Sequence, residues 1–108
     1  MKGYNKVVLL GTIDSEVELI EFESGKKTIT LQIKTVEFFT DKNGDKLQEN
    51  QWHRCVCWDK TAELIKRMFV KGDKIFIDGK LRSRLYNKKD TNQEVKVVEV
   101  LICEFIKY

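Results

Sequence analysis

One short stretch of this 108-residue chain concentrates the side chains that could do chemistry. Residues 50–60, NQWHRCVCWDK, contain both tryptophans, the single histidine and two of the three cysteines. The order of His53, Cys55 and Cys57 resembles a set of metal ligands. On a strand that rises ~3.4 Å per residue, however, His53 and Cys57 would be roughly 13 Å apart. Zinc ligands must each lie ~2.0–2.3 Å from the ion. We therefore expect no metal site and no cofactor.

The cysteines of this stretch have a simpler interpretation. Alternate residues of a strand lie on opposite faces, so Cys55 and Cys57 share one face with His53. Free cysteine is commonly a small, buried, apolar residue. We expect Cys55, Cys57 and Cys103 to be reduced and buried, which is typical of a cytosol-like compartment.

The opposite face of the same strand would carry Trp52, Arg54, Val56 and Trp58. Two exposed tryptophans on one strand indicate an interface. Their rings can stack on the flat faces of nucleic-acid bases, and Arg54 between them can contact phosphate or a ring. The alternative is that a helix or a second subunit covers both rings.

A second segment repeats the combination of aromatic and basic residues. Between Gly79 and Lys89 there are five basic residues and no acidic one, although the net charge of the chain is only +3. The members of this basic segment are Lys80, Arg82, Arg84, Lys88 and Lys89, and Tyr86 shares the face of the first three. The pattern fits an electrostatic groove with a stacking residue at its end. It also fits an edge strand whose charges prevent aggregation.

Periodicity predicts the elements that position these residues. Apolar and alternating runs predict strands at 5–13, 27–39, 50–60, 74–86 and 94–106, with Asn43-Gly44 as a hairpin turn between the second and third. Gly11 predicts a bulge or bend in the first strand. A helical period follows from residue 60, with the apolar face Ala62, Leu64, Ile65, Met68 and Phe69. Asp59 or Thr61 is expected to cap this helix, and Gly72 to end it.

The order of three strands, one helix and two strands predicts an all-β fold with one helix. It is the order of the OB-fold, a five-stranded Greek-key barrel with the helix between strands 3 and 4. The alternative is an open α+β sheet with the helix on one face. The length predicts a single domain over residues 1–108.

Several classes of protein are not favoured by this sequence. No apolar run approaches the ~18 residues of a membrane span, and the N-terminal residues do not form a signal peptide. With one histidine, no Gly-x-Ser-x-Gly and no P-loop, no nucleophile and base pair can be named, so we expect a binding protein and not an enzyme. We expect a cytoplasmic location.

Three motifs together resemble bacterial-type single-stranded DNA-binding protein. They are NKVVLLGTI at 5–13, QWHRCVCWDK at 51–60 and AELIKRMFVKGDKIFIDGKLRSRLY at 62–86. The family pattern is Asn-Lys-Val-x-Leu-x-Gly, then Trp-His-Arg-x-x-x-(aromatic)-x-Lys, a helix ending in Lys-Gly, and Gly-x-Leu-Arg-x-Arg-x-(aromatic). These motifs extend over nearly the whole chain.

The resemblance implies an OB-fold that binds single-stranded DNA without strong sequence preference and serves replication, recombination and repair in the nucleoid. It implies a homotetramer, with a dimer as the next expectation, and a subunit-interface role for His53. The implied DNA-stacking residues are Phe39, Trp52, Trp58 and Tyr86. The implied phosphate-binding residues are Lys6, Lys42, Arg54, Lys60, Lys71, Arg82 and Arg84, to which the basic segment adds Lys80.

The chain departs from the family pattern in several places. The usual Asp-Pro-Glu turn is replaced by TIDSEVE at 12–18, and Leu85 occupies a position that is often basic. Phe39 and Tyr86 stand where tryptophan is frequent, which reduces the stacking area. The family's Gly/Pro/Gln-rich linker and acidic tip do not follow Tyr108, so recruitment of replication and repair proteins through a tip is not expected of these residues. An RNA-binding or protein-interaction subunit of a replication complex is the alternative function.

Overall fold

The computed structural model describes residues 1–88 and 91–108. Within them it contains one helix and six strands, of which five are long. In chain order these are β1 (Val7–Ile13), β2 (Ile20–Glu21), β3 (Lys27–Thr40), β4 (Lys46–Trp58), α1 (Asp59–Met68), β5 (Lys74–Asn87) and β6 (Glu94–Lys107). The five long strands are those predicted from alternation, although β4 starts earlier, at Lys46. The helix follows the third long strand, as predicted.

The strands close into a barrel. Their order is β1-β5-β6-β4-β3-β2, and β1 also pairs with β3 at Thr12 and Ile13, which joins the two ends of the five-stranded sheet. β4 and β6 are parallel, whereas the other neighbours are antiparallel. The predicted barrel is therefore confirmed, and the open-sheet alternative is wrong.

The barrel interior is filled by residues that alternate along the strands. Ile29, Leu31 and Ile33 of β3 are fully buried and lie beside Cys55 and Cys57 of β4. Burial of each large aliphatic side chain contributes roughly 1.5–3 kcal/mol to folding. The two cysteines are interior residues, as expected from their strand face.

The third cysteine does not follow the prediction. Cys103 is exposed, because it follows the inward-facing Ile102 on β6 and therefore points to the opposite face.

The ends of α1 differ from the prediction. The N-cap is Trp58, without a side-chain capping bond, and the Asp59 carboxylate accepts a hydrogen bond from the backbone N–H of Lys27 at 3.0 Å. This contact ties the β4–α1 corner to β3 in place of capping the helix. At the other end the helix stops at Met68, and Gly72 lies in the following turn with φ +97°.

The apolar face of α1 is narrower than expected. Ala62, Ile65 and Phe69 are buried at positions i, i+3 and i+7. Leu64 and Met68 are exposed. Of the predicted apolar face, only Ala62, Ile65 and Phe69 pack into the barrel core.

Two glycines allow close approach of neighbouring strands. A Cβ at Gly11 would collide with the carbonyl oxygen of Lys34, at the point where β1 reaches β3. The pairing of β1 with β5 runs through Gly11 without a register shift, so there is no bulge at this position, and the bend stays a prediction. The close approach to β3 explains why the residue is glycine. A Cβ at Gly79 would collide with the carbonyl oxygen of Leu101, beside the one register shift between β5 and β6.

Two long hairpins extend from the barrel. Residues 36–40 of β3 and 46–52 of β4 are exposed on both faces, and the Asn43-Gly44 turn joins them as predicted, with φ +82° at Gly44. Residues 83–87 of β5 are exposed in the same way, whereas residues 94–98 of β6, which pair with them, alternate between exposed and half-buried. The molecule is accordingly elongated, 55 × 39 × 35 Å. In the described chain, α1 has only ten residues, and no helix is long and apolar enough to cross a membrane.

Candidate nucleic-acid interface

Three arginines predicted to bind phosphate converge on one carboxylate. Glu99 lies on β6, between β5 and β4 in the sheet. Its Oε2 accepts a hydrogen bond from Arg82 Nη2 at 3.1 Å, and its Oε1 accepts one from Arg84 Nε at 3.1 Å. Arg54 Nε on β4 is 3.6 Å from the same Oε1. We call these four side chains the Arg–Glu99 cluster.

The cluster forms on the outer surface of the barrel because of strand register. Arg82 is directly opposite Glu99 in the β5–β6 ladder, and residues paired in this way share a face. The parallel pairing of Cys55 with Val100 brings Arg54 to the other side of Glu99. One acidic residue on the central strand thus faces cations from both neighbouring strands.

The charge state of Glu99 follows from two opposing effects. Its side chain is fully buried, and this burial would raise the pKa of the carboxyl. Hydrogen bonds and Coulomb attraction from Arg82 and Arg84 outweigh burial, so the pKa lies below its ordinary value. Glu99 is therefore ionised at neutral pH, and the four side chains carry a net charge of +2.

Tyr86 adds an aromatic ring to this surface. The guanidinium carbon of Arg84 lies 5.9 Å from the centre of the Tyr86 ring, within the range of a cation–π interaction. A shallow surface depression is lined by Arg54, Arg84, Tyr86 and Val97. Two predicted phosphate contacts and one predicted stacking residue therefore border the same depression.

Trp52 lies on the outer face of β4, as predicted, with its side chain 55% exposed. Its indole Nε1 donates a hydrogen bond to Asp14 Oδ2 at 2.8 Å. Because Asp14 follows β1, this bond ties the ring to the end of another strand. The ring is exposed but held in one orientation, two residues from Arg54 on the same face.

Trp58 is partly covered. The Phe22 ring stacks on it, with 6.3 Å between ring centres and an angle of 25° between planes. Phe22 itself is exposed. The indole Nε1 of Trp58 is buried and forms no hydrogen bond within the described residues. The surface that remains accessible here is a pair of rings, not a single tryptophan.

Phe39 lies near the tip of the β3–β4 hairpin and is exposed. In the ladder it pairs with Leu47, whereas Trp52 pairs with Lys34, so alternation puts Phe39 and Trp52 on opposite faces of the hairpin. The adjacent Phe38 lies on the Trp52 face and is 77% exposed. The hairpin therefore presents an aromatic ring on each face.

The remaining predicted cations are dispersed. Lys6 forms an ion pair with Asp78 at 3.2 Å, and the hydrogen bond to this carboxylate raises the pKa of Lys6. The exposed members without an ion pair to the described residues are Lys42, Lys60, Lys71 and Lys80. Lys88 is exposed at the end of β5, and Lys89 lies outside the described residues.

His53 contacts a hydroxyl group of the neighbouring strand. Its Nε2 lies 2.8 Å from the hydroxyl of Thr35, within hydrogen-bonding distance, and the side chain is partly buried. In residues 1–88 and 91–108, no three His, Cys, Asp or Glu side chains are arranged to hold a metal ion.

The sequence interpretation missed four contributors to this surface, namely Asp14, Phe22, Phe38 and Glu99. A signal existed for Glu99, because it interrupts the apolar face that Val95, Val97 and Leu101 form by alternation. No local pattern identifies Asp14 or Phe22, because both act through contacts distant in sequence.

Comparison with known proteins agrees with this geometry. A profile described as the single-strand binding protein family matches residues 4–107. The chain belongs to this family. It is 30% identical over 103 residues to single-stranded DNA-binding protein 1 of Chlorobaculum tepidum, covering 95% of this chain and 64% of that protein. It is 31% identical over 94 residues to single-stranded DNA-binding protein 1 of Xylella fastidiosa, covering 86% and 69% respectively. The chain thus spans about two thirds of the length of these relatives.

Solved structures of the same family share the fold. The SSB of Plasmodium falciparum in complex with ssDNA superposes with a TM-score of 0.87 at 25% identity, covering 100% of this chain and 97% of that one. A deletion mutant of the single-stranded DNA-binding protein from Thermus aquaticus gives 0.83 at 25% identity, covering 98% and 51%. These relatives are named as binding proteins and not as enzymes, as the sequence predicted for this chain.

Proposed function

We propose that this protein binds single-stranded DNA by base stacking and phosphate contacts, without strong sequence preference. The observation that carries the proposal is the outer surface of β4, β5 and β6. There an exposed Trp52, the Tyr86 ring and three arginines lie on adjacent strands of a rigid barrel. Stacking is tolerant of base identity, and arginine binds the repeating phosphate, so neither contact reads sequence.

The path of the strand follows from the positions of these residues. Stacking on Trp52, Tyr86, the Phe22–Trp58 ring pair and the rings at Phe38 and Phe39 would lead the strand from the barrel onto the β3–β4 hairpin. The phosphate-binding roles of Lys6, Lys42, Lys60, Lys71, Lys80 and the three arginines are part of the proposal. The three arginines and Lys6 already form ion pairs, with Glu99 and Asp78 respectively. The other four lysines have no such partner among the described residues and can bind phosphate without breaking an ion pair.

A homotetramer, with a dimer as the alternative, is part of the proposed function. The outer face of β1 exposes Val8 and Leu10, and Ile106 of β6 continues this apolar surface across Phe76 of β5. Apolar patches of this kind are typical of subunit contacts. β1 pairs with β3 only at Thr12 and Ile13, so among the described strands one backbone edge of residues 7–11 has no partner. We propose that both features, with His53, contribute to association of subunits.

The cellular role is proposed from the same features. A protein that coats single-stranded DNA without sequence preference would protect the strands exposed during replication, recombination and repair. The proposed location is therefore the cytoplasm, in association with the nucleoid. An RNA-binding role is the second candidate, because stacking and phosphate contacts do not by themselves read the 2′-hydroxyl.

Fluorescence titration tests the proposal. Trp52 and Trp58 report on the surface, and their emission is expected to be quenched by oligo-dT and not by duplex DNA at equal nucleotide concentration. A titration with oligo-rU of the same length separates the DNA function from the RNA candidate. Binding to duplex DNA as tight as to oligo-dT would contradict the proposal.

Salt provides an independent check of the phosphate contacts. Each phosphate neutralised on a single strand contributes about −0.7 to the slope of log affinity against log salt concentration. We expect a clearly negative slope for oligo-dT. Affinity that is constant from low to high salt would exclude a role for the arginines and lysines in binding phosphate.

A further inference from the structure

A buried carboxylate in a surface proposed to bind a polyanion requires an explanation. Glu99 repels phosphate, and a buried ion pair is by itself a weak source of stability, because the loss of hydration offsets the attraction. An apolar residue at this position would avoid both costs. What the carboxylate does supply is a fixed position for the arginines around it.

The hydrogen-bond geometry is suited to that task. Both oxygens of Glu99 contact arginines: Oε2 binds Arg82 of β5, and Oε1 is shared by Arg84 of β5 and Arg54 of β4. A guanidinium has five N–H donors. The hydrogen bonds of Arg82 and Arg84 to Glu99, and the ion-pair contact of Arg54 with it, therefore leave further donors on each arginine. The three side chains remain 36–42% exposed, so the cluster is accessible from solvent. The Nε atoms of Arg54 and Arg82 are themselves buried, without a hydrogen-bond partner among the described residues.

We propose that Glu99 is a positioning residue that gathers Arg54, Arg82 and Arg84 into one preformed phosphate-binding cluster beside Tyr86. The inference rests on the proposed function. Three long, like-charged side chains without this anchor would repel one another and spread, and each would have to be ordered again when the strand binds. The cluster remains net positive, so it still attracts phosphate.

The substitution Glu99→Gln distinguishes positioning from simple electrostatics, because the two predict opposite signs. Glutamine preserves the shape of the side chain and removes the negative charge. If Glu99 acted only as a repelling charge, the variant would bind oligo-dT more tightly and with a steeper salt slope. If Glu99 positions the arginines, the folded variant binds roughly tenfold more weakly, the loss of about one charge-assisted hydrogen bond, and its salt slope is shallower.

A matched control removes the same charge from the same strand. Glu104 on β6 is exposed and forms no ion pair with the described residues. Glu104→Gln is expected to bind oligo-dT as tightly as the wild type or slightly more tightly. Affinity of Glu99→Gln equal to or higher than that of Glu104→Gln would overturn the inference.

A second pair of variants decides the question if Glu99→Gln does not fold. Glu99→Asp keeps the charge but is one methylene shorter, so it cannot hold Arg82 and Arg84 at their present distances, and weaker binding with unchanged net charge is expected. Arg84→Ala should then weaken binding less in the Glu99→Asp background than in the wild type. Full affinity of Glu99→Asp, or additive losses in the double variant, would contradict positioning.

The wild type separates failure of this inference from failure of the proposed function. If neither the wild type nor Glu104→Gln binds oligo-dT, the function itself is wrong. If both bind and the Glu99 variants bind equally well, only the positioning role is wrong. Thermal melts of every variant show whether an affinity change belongs to folded protein.

Discussion

At the scale of single residues, the reactivity of each cysteine depends on whether its side chain lies inside or outside the barrel. Cys55 and Cys57 are interior side chains, and burial raises the pKa of each thiol to about 12. The thiolate is the nucleophile of cysteine chemistry, so both thiols are unreactive near neutral pH. Cys103, on the outer face of β6, is exposed.

Thiol labelling tests this assignment. With a thiol-specific reagent near pH 8, the native protein should react rapidly at Cys103 alone, and all three thiols should react after denaturation. Mass spectrometry of the labelled peptides identifies the sites. Rapid labelling of Cys55 or Cys57 under native conditions would show that the barrel interior is accessible to the reagent.

The Arg–Glu99 cluster also predicts a dependence of stability on pH. Because the folded pKa of Glu99 is depressed, its contribution is complete above the unfolded pKa of about 4.3 and is lost as pH falls through the folded value. Unfolding free energy measured from pH 7 to pH 2 should therefore fall more for the wild type than for Glu99→Gln. Glu63, whose pKa is lowered by its hydrogen bond to Lys27, is present in both proteins and cancels in the comparison. Parallel pH profiles would contradict the assigned ion pairing.

At the scale of elements, barrel closure depends on backbones that approach closely. The space for a side chain at Gly11 is occupied by the backbone of Lys34, which cannot move without displacing β3. Overpacking of this kind typically costs about 1–3 kcal/mol.

Gly11→Ala is accordingly expected to lower the unfolding free energy by about 1–3 kcal/mol in urea denaturation. Gly3 has no neighbouring atom within 4 Å of the position that a Cβ would take, and its φ is not positive. Gly3→Ala is therefore the matched control and should be nearly neutral. Equal stability of the two variants would mean that β1 can shift away from β3 at little cost.

The periodicity of apolar residues predicted which segments form strands and the helix. It predicted the first and last residues of these elements less accurately. Period-two alternation identified β3, β5 and β6 within a residue, because aliphatic side chains recur at every second position over much of each strand. The start of α1 could not be predicted in this way, since the Asp59 carboxylate binds the backbone of Lys27, a residue distant in sequence.

In the candidate site, too, local spacing predicted some features, and others depend on contacts distant in sequence. Spacing predicted that Trp52 and Arg54 share a face of β4, and the structure places them so. The convergence of Arg54, Arg82 and Arg84 on Glu99 depends on the β5-β6-β4 strand order, which no local window contains.

At the scale of the whole molecule, one barrel offers a short binding surface, and association of subunits would extend it. The apolar face formed by Val8, Leu10, Phe76 and Ile106 is the surface on which this proposal depends. A charge placed there would be buried without a partner in the assembly.

Leu10→Lys is expected to shift the protein from a tetramer toward smaller species. Light scattering at micromolar concentration should give about four times the 12.7 kDa chain mass for the wild type. Val70→Lys, at another exposed apolar residue, which follows α1, is the control and should keep the wild-type mass. A wild-type mass of one chain would refute assembly.

Exposed aromatic rings are proposed to stack on bases, and Trp52 is the ring at which substitution measures this role with the least effect on folding. An oligo-dT titration of Trp52→Ala, followed by Trp58 fluorescence, should show binding weakened by about 1–3 kcal/mol. A thermal melt of the same variant should change only slightly, because a half-exposed ring leaves no closed cavity and the loss is limited to the hydrogen bond to Asp14, about 0.5–1.5 kcal/mol. Tyr4→Ala, at an exposed aromatic residue preceding β1, is the control and should bind like the wild type. A large fall in melting temperature with unchanged affinity of the folded protein would contradict the stacking role of Trp52.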